Sequence, residues 1–144
     1  MGLFPFNQAT TINGSVSVAG DVSVTGHYSA TGAAPGAVAG GNAGAGPPAP
    51  VVPVGTTDNS GIISFGTGTV PAAGVMVAVT FSVPWVVPGG GAPHIVVTPQ
   101  NLATNALGIF VTGVSPTGFQ VSCATAPAAS QGNGTYSFAY HVIG

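Results

Sequence analysis

Residues 135–142 read TYSFAYHV, in which every second side chain is large and apolar or aromatic. Successive side chains of a β-strand point to opposite faces, so this spacing predicts a strand with one face in a core. That face carries Tyr136, Phe138, Tyr140 and Val142. His141 lies on the other face, which we expect to meet solvent.

Five stretches upstream show similar strand patterns: 62–65, 75–82, 94–98, 107–112 and 118–123. Segments rich in Pro, Gly, Ser and Asn separate them, as turns require. The predicted inward faces carry Val75, Val77, Val79, Phe81, Leu107, Ile109, Val111, Phe119, Val121 and Cys123. The spacing predicts an all-β fold, with a six-stranded antiparallel β-sandwich over residues 55–144 and at most one helical turn, over 102–107.

The 144-residue chain is almost free of charge. It has no Lys or Arg, its only acidic residues are Asp21 and Asp58, and charged residues make up 1% of it, against roughly a quarter of an ordinary domain. Proteins bind nucleic acid and anionic membrane surfaces with cationic side chains, so we expect neither partner. The hydrophobic fraction of 45% is nevertheless that of a folded protein.

Side chains for catalysis and metal binding are correspondingly scarce. Asp58 is the only carboxylate side chain in the predicted sandwich, so paired carboxylates are absent there and we expect no enzymatic activity. His94 and His141 can begin a metal site, but no third ligand is evident, and we predict no bound metal or other cofactor. Cys123, the single cysteine, is predicted to be a small buried strand residue.

Residues 9–32 contain a six-residue tandem repeat whose copies each end in glycine: ATTING, SVSVAG, DVSVTG and HYSATG. Apolar and hydroxyl residues alternate within the copies, which predicts short strands. Because four copies cannot bury their own apolar face, we predict a trimerisation stem of three chains. Its inward residues are Ile12, Val16, Val18, Val22 and Val24. The alternative is a pair of flexible hairpins packed on the C-terminal domain. In a trimer, Asp21 and His27 would form rings near the axis, a known way of holding an ion.

Two other segments complete the chain. Residues 1–8 contain an apolar cluster that we interpret as a particle-anchoring peptide: Leu3, Phe4, Pro5 and Phe6. Residues 33–54 are dominated by Gly, Ala and Pro without a glycine at every third position, which predicts a linker and not a collagen helix. The glycines of 40–46 are followed by neither Lys nor a helix pattern, so a phosphate-binding loop is not predicted.

Trp85 lies in a proline-bounded loop, VPWVVP at 83–88, directly after a predicted strand. An exposed indole ring at this place is a candidate contact to a sugar ring on a cell surface. The alternative is a Trp that closes one end of the sandwich core.

Several stretches of residues 56–144 together resemble a known group of proteins. They are SFGTGTVPAAG at 64–74, VAVTF at 77–81, PHIVVTPQN at 93–101, LGIFV at 107–111, PTGF at 116–119, TAPAAS at 125–130 and YSFAYHV at 136–142. This pattern resembles the terminal domain of minor tail, fibre and capsid-surface proteins of phages that infect actinobacteria. More loosely, it is similar to the six-stranded sandwich of H-type lectins. The repeats of 9–32 resemble the stem repeats of phage fibres.

The resemblance implies a homotrimeric structural protein at the surface of a bacteriophage virion. Such a protein would be a decoration or short fibre on the capsid or tail, with other virion proteins and host cell-surface glycan as partners. The alternative is a free, soluble, lectin-like carbohydrate-binding module.

Overall fold

The computed structural model describes residues 18–26, 30–87 and 89–144. The strands and the helix in these ranges are β1 (Gly36–Ala39), β2 (Ser60–Phe65), β3 (Gly74–Thr80), β4 (His94–Pro99), α1 (Leu102–Ala106), β5 (Ile109–Ser115), β6 (Gly118–Cys123) and β7 (Tyr136–Ile143). No helix among the described residues has the length and apolar character needed to span a membrane. The anchor residues Leu3, Phe4, Pro5 and Phe6 and the stem residues Ile12 and Val16 lie outside the described ranges.

The strands form two antiparallel sheets, which confirms the predicted all-β fold. One sheet has the order β1-β3-β6-β5 and the other has the order β2-β7-β4. Strand β7, which contains the alternating stretch, is the centre of the three-stranded sheet and pairs with β2 and β4. Its four predicted inward side chains are all buried.

The core fills the space between the two sheets. Its largest fully buried side chains are Phe65, Phe119, Phe138, Ile63 and Met76. Aromatic rings pack across it, with centroids 5.5 Å apart for Phe119 and Tyr140 and 5.2 Å apart for Phe65 and Tyr136. Each fully buried apolar side chain of this size stabilises the fold by about 1.5–3 kcal/mol. Cys123 belongs to this core, as predicted.

Residues 55–144 contain the six predicted strands, β2 to β7, and strand β1 adds a seventh from the segment that the sequence suggested to be a linker. Gly36–Ala39 pairs with β3 along its whole length, from Gly36 opposite Thr80 to Ala39 opposite Val77. Further along the same segment, Val51 exchanges backbone hydrogen bonds of 2.8 and 3.0 Å with Ser64 of β2. Strand β1 therefore becomes the edge of the four-stranded sheet beside β3, and Val51 pairs with the outer side of β2 at a single bridge.

Strand β3 contains a bulge that changes its predicted inward face. Val75 lies opposite Ser122 and Val77 opposite Val121, so Met76 has no partner on β6. An extra residue of this kind bends the strand and shifts the alternation. Met76 and Val77 are consequently both buried, whereas Val75, predicted to point inward, is only half-buried.

The helix α1 follows β4 and corresponds to the predicted helical turn. The Asn101 side chain caps it by accepting a hydrogen bond of 2.8 Å from the amide of Thr104. The buried Thr104 hydroxyl donates to Asn101 Oδ1 at 2.8 Å and accepts from the amide of Ser137 at 2.7 Å. One side chain thereby joins the helix to β7.

The two ends of the sandwich are built from different segments. At what we call the Trp85 end, Thr80 of β3 lies opposite both Gly36 of β1 and Gly118 of β6. The loops 40–50, 66–73 and 124–135 come together at the opposite end, which we call the far end, where the amide of Gly68 donates to the carbonyl of Ala43 at 2.8 Å. Any function of the sandwich must use its faces, its edges or one of these two ends.

Candidate functional site

Trp85 is half-buried over one end of the core. Its ring packs edge-on against Phe81, with centroids 6.3 Å apart and planes at 62°. Gly144 lies on another side of the ring, close enough that an added Cβ would stand 3.0 Å from an indole carbon. The amide of Trp85 donates to the carbonyl of Pro116 at 2.8 Å, which ties its loop to the β5–β6 turn. The ring therefore closes the core and also remains partly open to solvent.

The open part of Trp85 borders a cleft of about 320 Å³, the Trp85 cleft. The side chains of Asp58, Asn59 and Ser82 line it beside the indole. The other walls are formed by residues 31–33 of the incoming chain and by Thr57, Val83, Pro84 and Val86. The cleft combines one aromatic surface with hydroxyl, amide and carboxylate groups, a mixture suited to polar ligands with an apolar face.

Asp58 is the carboxylate of this cleft, and its two oxygens already have partners. Oδ1 accepts from the amide of Ser82 at 2.9 Å. Oδ2 accepts from the Ser82 hydroxyl at 2.6 Å and from the amide of Val83 at 3.0 Å. The carboxylate thus fixes the start of the loop that carries Trp85. Sequence reasoning missed this role, because Asp58 and Ser82 are 24 residues apart in the chain.

Tyr140 connects the cleft to the core. Its hydroxyl donates to the backbone carbonyl of Thr57, the residue before Asp58. Burial raises the pKa of Tyr140 far above its usual range, and the negative charge of Asp58 raises it further. The phenol therefore stays protonated, and its hydrogen bond holds the loop 56–59 on the core.

Of the remaining titratable residues, His141 lines an adjoining cleft of about 300 Å³ together with Asn59 and Trp85. His141 and His94 are exposed on the outer face of the three-stranded sheet, where they lie opposite Val96 and Ile143 respectively. Burial raises the pKa of the Cys123 thiol, against the opposing effect of backbone hydrogen bonds. Within 18–26, 30–87 and 89–144, no three side chains among His, Cys, Asp and Glu are placed to hold a metal ion.

The described valines of the stem are exposed, whereas Thr31 and Gly32 at its C-terminal end line the Trp85 cleft. Val18, Val22 and Val24 leave 52%, 70% and 53% of their surfaces open. In the described residues 18–26 no strand forms, so these valines belong to neither sheet. Asp21 is exposed in the same segment, while His27 lies outside the described ranges.

Another cleft, at the far end, was not predicted from the sequence. It measures about 290 Å³ and lies between Ala45–Gly46, Thr67–Thr69 and Ser130–Gly132. Ser130 in its wall and Val70, which follows the wall residue Thr69, are the only described residues other than glycine with a positive φ, at 56° and 52°. In the sequence, the only hint of this cleft is the abundance of Gly, Thr and Ser in the three loops. That composition does not show that the loops lie next to one another in the fold.

No family model, no curated protein and no solved structure was found to match this chain.

Proposed function

We propose that this chain is a structural protein of a bacteriophage particle, a trimeric surface decoration or short fibre that presents its β-sandwich outward from the capsid or tail. The stem residues 9–32 would join three copies, and the apolar cluster of residues 3–6 would dock on other virion proteins. The sandwich would cover the shell or contact the host surface. This assigns a structural role and no catalysis.

The observation that carries the proposal is the exposure of Val18, Val22 and Val24. Alternating apolar side chains on extended chain, without a sheet to cover them, are unfavourable in water at about 25 cal/mol for each Å² exposed. Two further copies of the same repeat supply a matching surface, with valines inside and hydroxyl residues outside. A trimeric stem therefore buries what a single chain leaves open.

The assignment to a phage particle is supported by the resemblance of residues 56–144 to terminal domains of phage surface proteins. The near absence of charge is also consistent with it. Low net charge gives little repulsion between free copies, so such a chain is better suited to a fixed place in an assembly than to a concentrated solution.

The test is the mass of the full-length protein by light scattering after size exclusion. We expect a trimer for the natural chain and a loss of trimer when Val18, Val22 and Val24 are all changed to Ser. The matched control changes Val54, Val83 and Val86, three exposed valines outside the stem, to Ser and should remain trimeric. A monomeric natural chain, or a trimer that survives the stem substitutions, contradicts the stem.

The number of copies of the protein per purified virion distinguishes a place on the capsid from a place on the tail. A capsid decoration requires hundreds of copies, whereas a tail fibre requires a few. If the protein is absent from purified virions, the particle assignment fails.

The second candidate is a free, lectin-like carbohydrate-binding module, which the Trp85 cleft favours. An indole beside Asn59 and Ser82 offers a stacking surface next to hydrogen-bonding groups. A module of this kind needs no stem, so saturable sugar binding by a monomer, lost on Trp85→Ala, would favour it over the particle protein. Retention of the folded state by the variant, checked by near-UV circular dichroism, is the necessary control.

A further inference from the structure

The chain leads toward its N-terminus from the Trp85 end of the sandwich. Gly36, the first residue of β1, pairs with Thr80, and residues 31–33 line the Trp85 cleft. A stem formed by the preceding residues is therefore attached at this end, and the far end points away from it. This outward direction rests on the proposed function, because the stem defines it.

The cleft at the far end is bordered by three loops that are distant in sequence. They contribute Gly46, Pro48, Thr69, Ser130, Gln131 and Gly132 to its walls. Its volume of about 290 Å³ is close to the roughly 300 Å³ at which ligand pockets begin. The cleft is thus large enough for one terminal unit of a longer ligand.

Backbone hydrogen bonds fasten these loops to one another. Ala45 and Thr69 exchange two, both of 2.9 Å. The amide of Thr67 donates to the carbonyl of Gln131 at 2.9 Å, and the amide of Ser130 donates to the carbonyl of Gly68 at 2.8 Å. The buried hydroxyl of Thr67 adds a bond to the carbonyl of Ala128 at 2.6 Å and accepts from the amide of Gln131 at 3.1 Å. The cleft is therefore preformed, which lowers the entropy lost on binding.

Close contact between the loops depends on two glycines. A Cβ at Gly68 would stand 2.0 Å from the carbonyl oxygen of Ala45, and one at Gly66 would stand 2.3 Å from that of Gln131. Any other residue would push the loops apart. Only glycine therefore fits at these two positions without moving the loops of the far end.

The border of the cleft holds its backbone in unfavourable conformations. Val70 has a φ of 52°, although it is β-branched and 88% exposed, and Ser130 has a φ of 56°. Such conformations cost about 1–3 kcal/mol each and collect at ligand-binding sites. Ser130 lines the cleft and Val70 directly follows the lining residue Thr69, so this strain lies at and beside the cleft.

The chemistry of the cleft selects an uncharged ligand. Its walls offer hydroxyl groups, backbone groups and the amide of Gln131, whose Nε2 donates to the carbonyl of Ala129 at 2.9 Å and leaves Oε1 for a ligand. No titratable side chain lines it. An ionic ligand would lose hydration there without gaining an opposite charge, whereas sugar hydroxyls exchange water for equivalent partners.

We propose that the far-end cleft is a binding site for a neutral saccharide, and that it, and not Trp85, makes the outward contact of the sandwich. Thr69, Ser130 and Gln131 supply the polar contacts, and Pro48 in the wall offers an apolar surface to the C–H face of a sugar. Trp85 lies at the end to which the stem is attached and closes the core there.

The experiment is saturation-transfer NMR on the full-length protein with a panel of methyl glycosides. The neutral members are hexosides, 6-deoxyhexosides, pentosides and N-acetylhexosaminides, and the acidic members are a glucuronide and a sialoside. We expect saturable binding of at least one neutral glycoside and none of the acidic ones. Failure of every neutral member to bind, or binding of acidic members alone, overturns the proposal.

Two matched variants locate the site. Gly132 and Gly32 each line a cleft, Gly132 at the far end and Gly32 at the Trp85 end, and an added Cβ at either position meets no atom within 4 Å. Gly132→Leu should fill the far-end cleft and weaken binding at least about tenfold, while Gly32→Leu should leave it within about twofold. The reverse result places the sugar in the Trp85 cleft and contradicts the proposal.

The oligomeric mass of the same samples, measured by light scattering, distinguishes a failure of the saccharide site from a failure of the trimeric stem. A trimer that binds no neutral glycoside contradicts only the saccharide site. A monomer whose binding is lost on Gly132→Leu contradicts only the trimeric stem and retains the site.

Discussion

The hydroxyl of Tyr140 donates a buried hydrogen bond to the backbone carbonyl of Thr57, 83 residues earlier in the chain. This bond joins the central strand of the three-stranded sheet to the loop that contains Asp58. Because Asp58 in turn holds Ser82 and Val83, one aromatic side chain supports the whole Trp85 end.

Tyr140→Phe should lower the free energy of unfolding by about 1.5 kcal/mol at neutral pH, since it leaves the carbonyl of Thr57 without its partner. Urea unfolding followed by fluorescence measures the change. Tyr140→Leu is expected to cost more, because it also removes the ring contact with Phe119. Equal stability of Tyr140→Phe and the natural protein would show that water replaces the hydroxyl.

The raised pKa of Tyr140 makes stability depend on alkaline pH. The unfolded chain releases this proton near pH 10, the usual value for tyrosine, whereas the folded protein keeps it. The contribution is therefore fully present below about pH 10 and is lost as the pH rises toward the folded pKa, by at most about 1.4 kcal/mol per pH unit. Cys123→Ala and Cys123→Ala/Tyr140→Phe form the matched pair, since the thiol also has a raised pKa. The difference between their free energies of unfolding should narrow above pH 10. A constant difference would contradict a raised pKa of Tyr140 in the folded protein.

Asp58→Ala should destabilise the protein by about 2 kcal/mol, because two backbone amides and one hydroxyl lose a charged acceptor. Asp21→Ala is the control with the same change of charge on an exposed segment, and it should stay within about 0.5 kcal/mol of the natural protein. Thermal unfolding compares the two. Similar values for both would show that charge, and not the hydrogen bonds to the loop, determines the effect.

Thr104→Val should cost about 2–3 kcal/mol, although it changes the shape of the side chain little. The hydroxyl is fully buried and accepts from the amide of Ser137, which the variant leaves unpaired. Thr98→Val, on an exposed position of β4, is the control and should be nearly neutral. Hydrogen exchange of the Ser137 amide, measured by NMR, should accelerate in the first variant alone.

Val70→Gly should stabilise the fold by about 1 kcal/mol, against the usual effect of glycine. Glycine adopts a φ of 52° without strain, and the side chain that it replaces is 88% exposed. Val54→Gly, at another exposed valine, should lower stability instead through the greater freedom of the unfolded chain. A loss of stability in Val70→Gly would mean that the valine makes contacts stronger than its strain.

The strands were predictable where one face alone is buried. In β7 the alternation of apolar residues is strict, and the structure buries the predicted face while leaving the other face half-buried or exposed. The bulge in β3 was not predictable, because Val75, Met76 and Val77 are all apolar and their sequence does not show which of them lacks a partner. The pairing with β6 determines which of the three residues forms the bulge, and this pairing depends on the tertiary structure.

Strand β1 and the far-end cleft show what local pattern cannot reveal. The strand has the sequence Gly-Ala-Val-Ala, its one large residue, Val38, is exposed, and only the small side chain of Ala37 packs against the core, so backbone pairing with β3 is its main stabilising contact. The cleft depends on Thr67 reaching Ala128 and Gln131 across more than sixty residues. In both cases the stabilising partner lies far away in the chain, while the segment itself has the composition of a linker or loop.

The direction of β1 also determines how the protein carries mechanical load. Its first residue, Gly36, lies at the Trp85 end and its last, Ala39, lies toward the far end, antiparallel to β3. A pull on the chain before Gly36, with the far end held, acts along the strand and loads the β1–β3 hydrogen bonds in shear. Bonds loaded in shear must break together, whereas bonds pulled from one side open one after another. A sandwich tethered through residues 30–35 is thus connected in the geometry that resists force best.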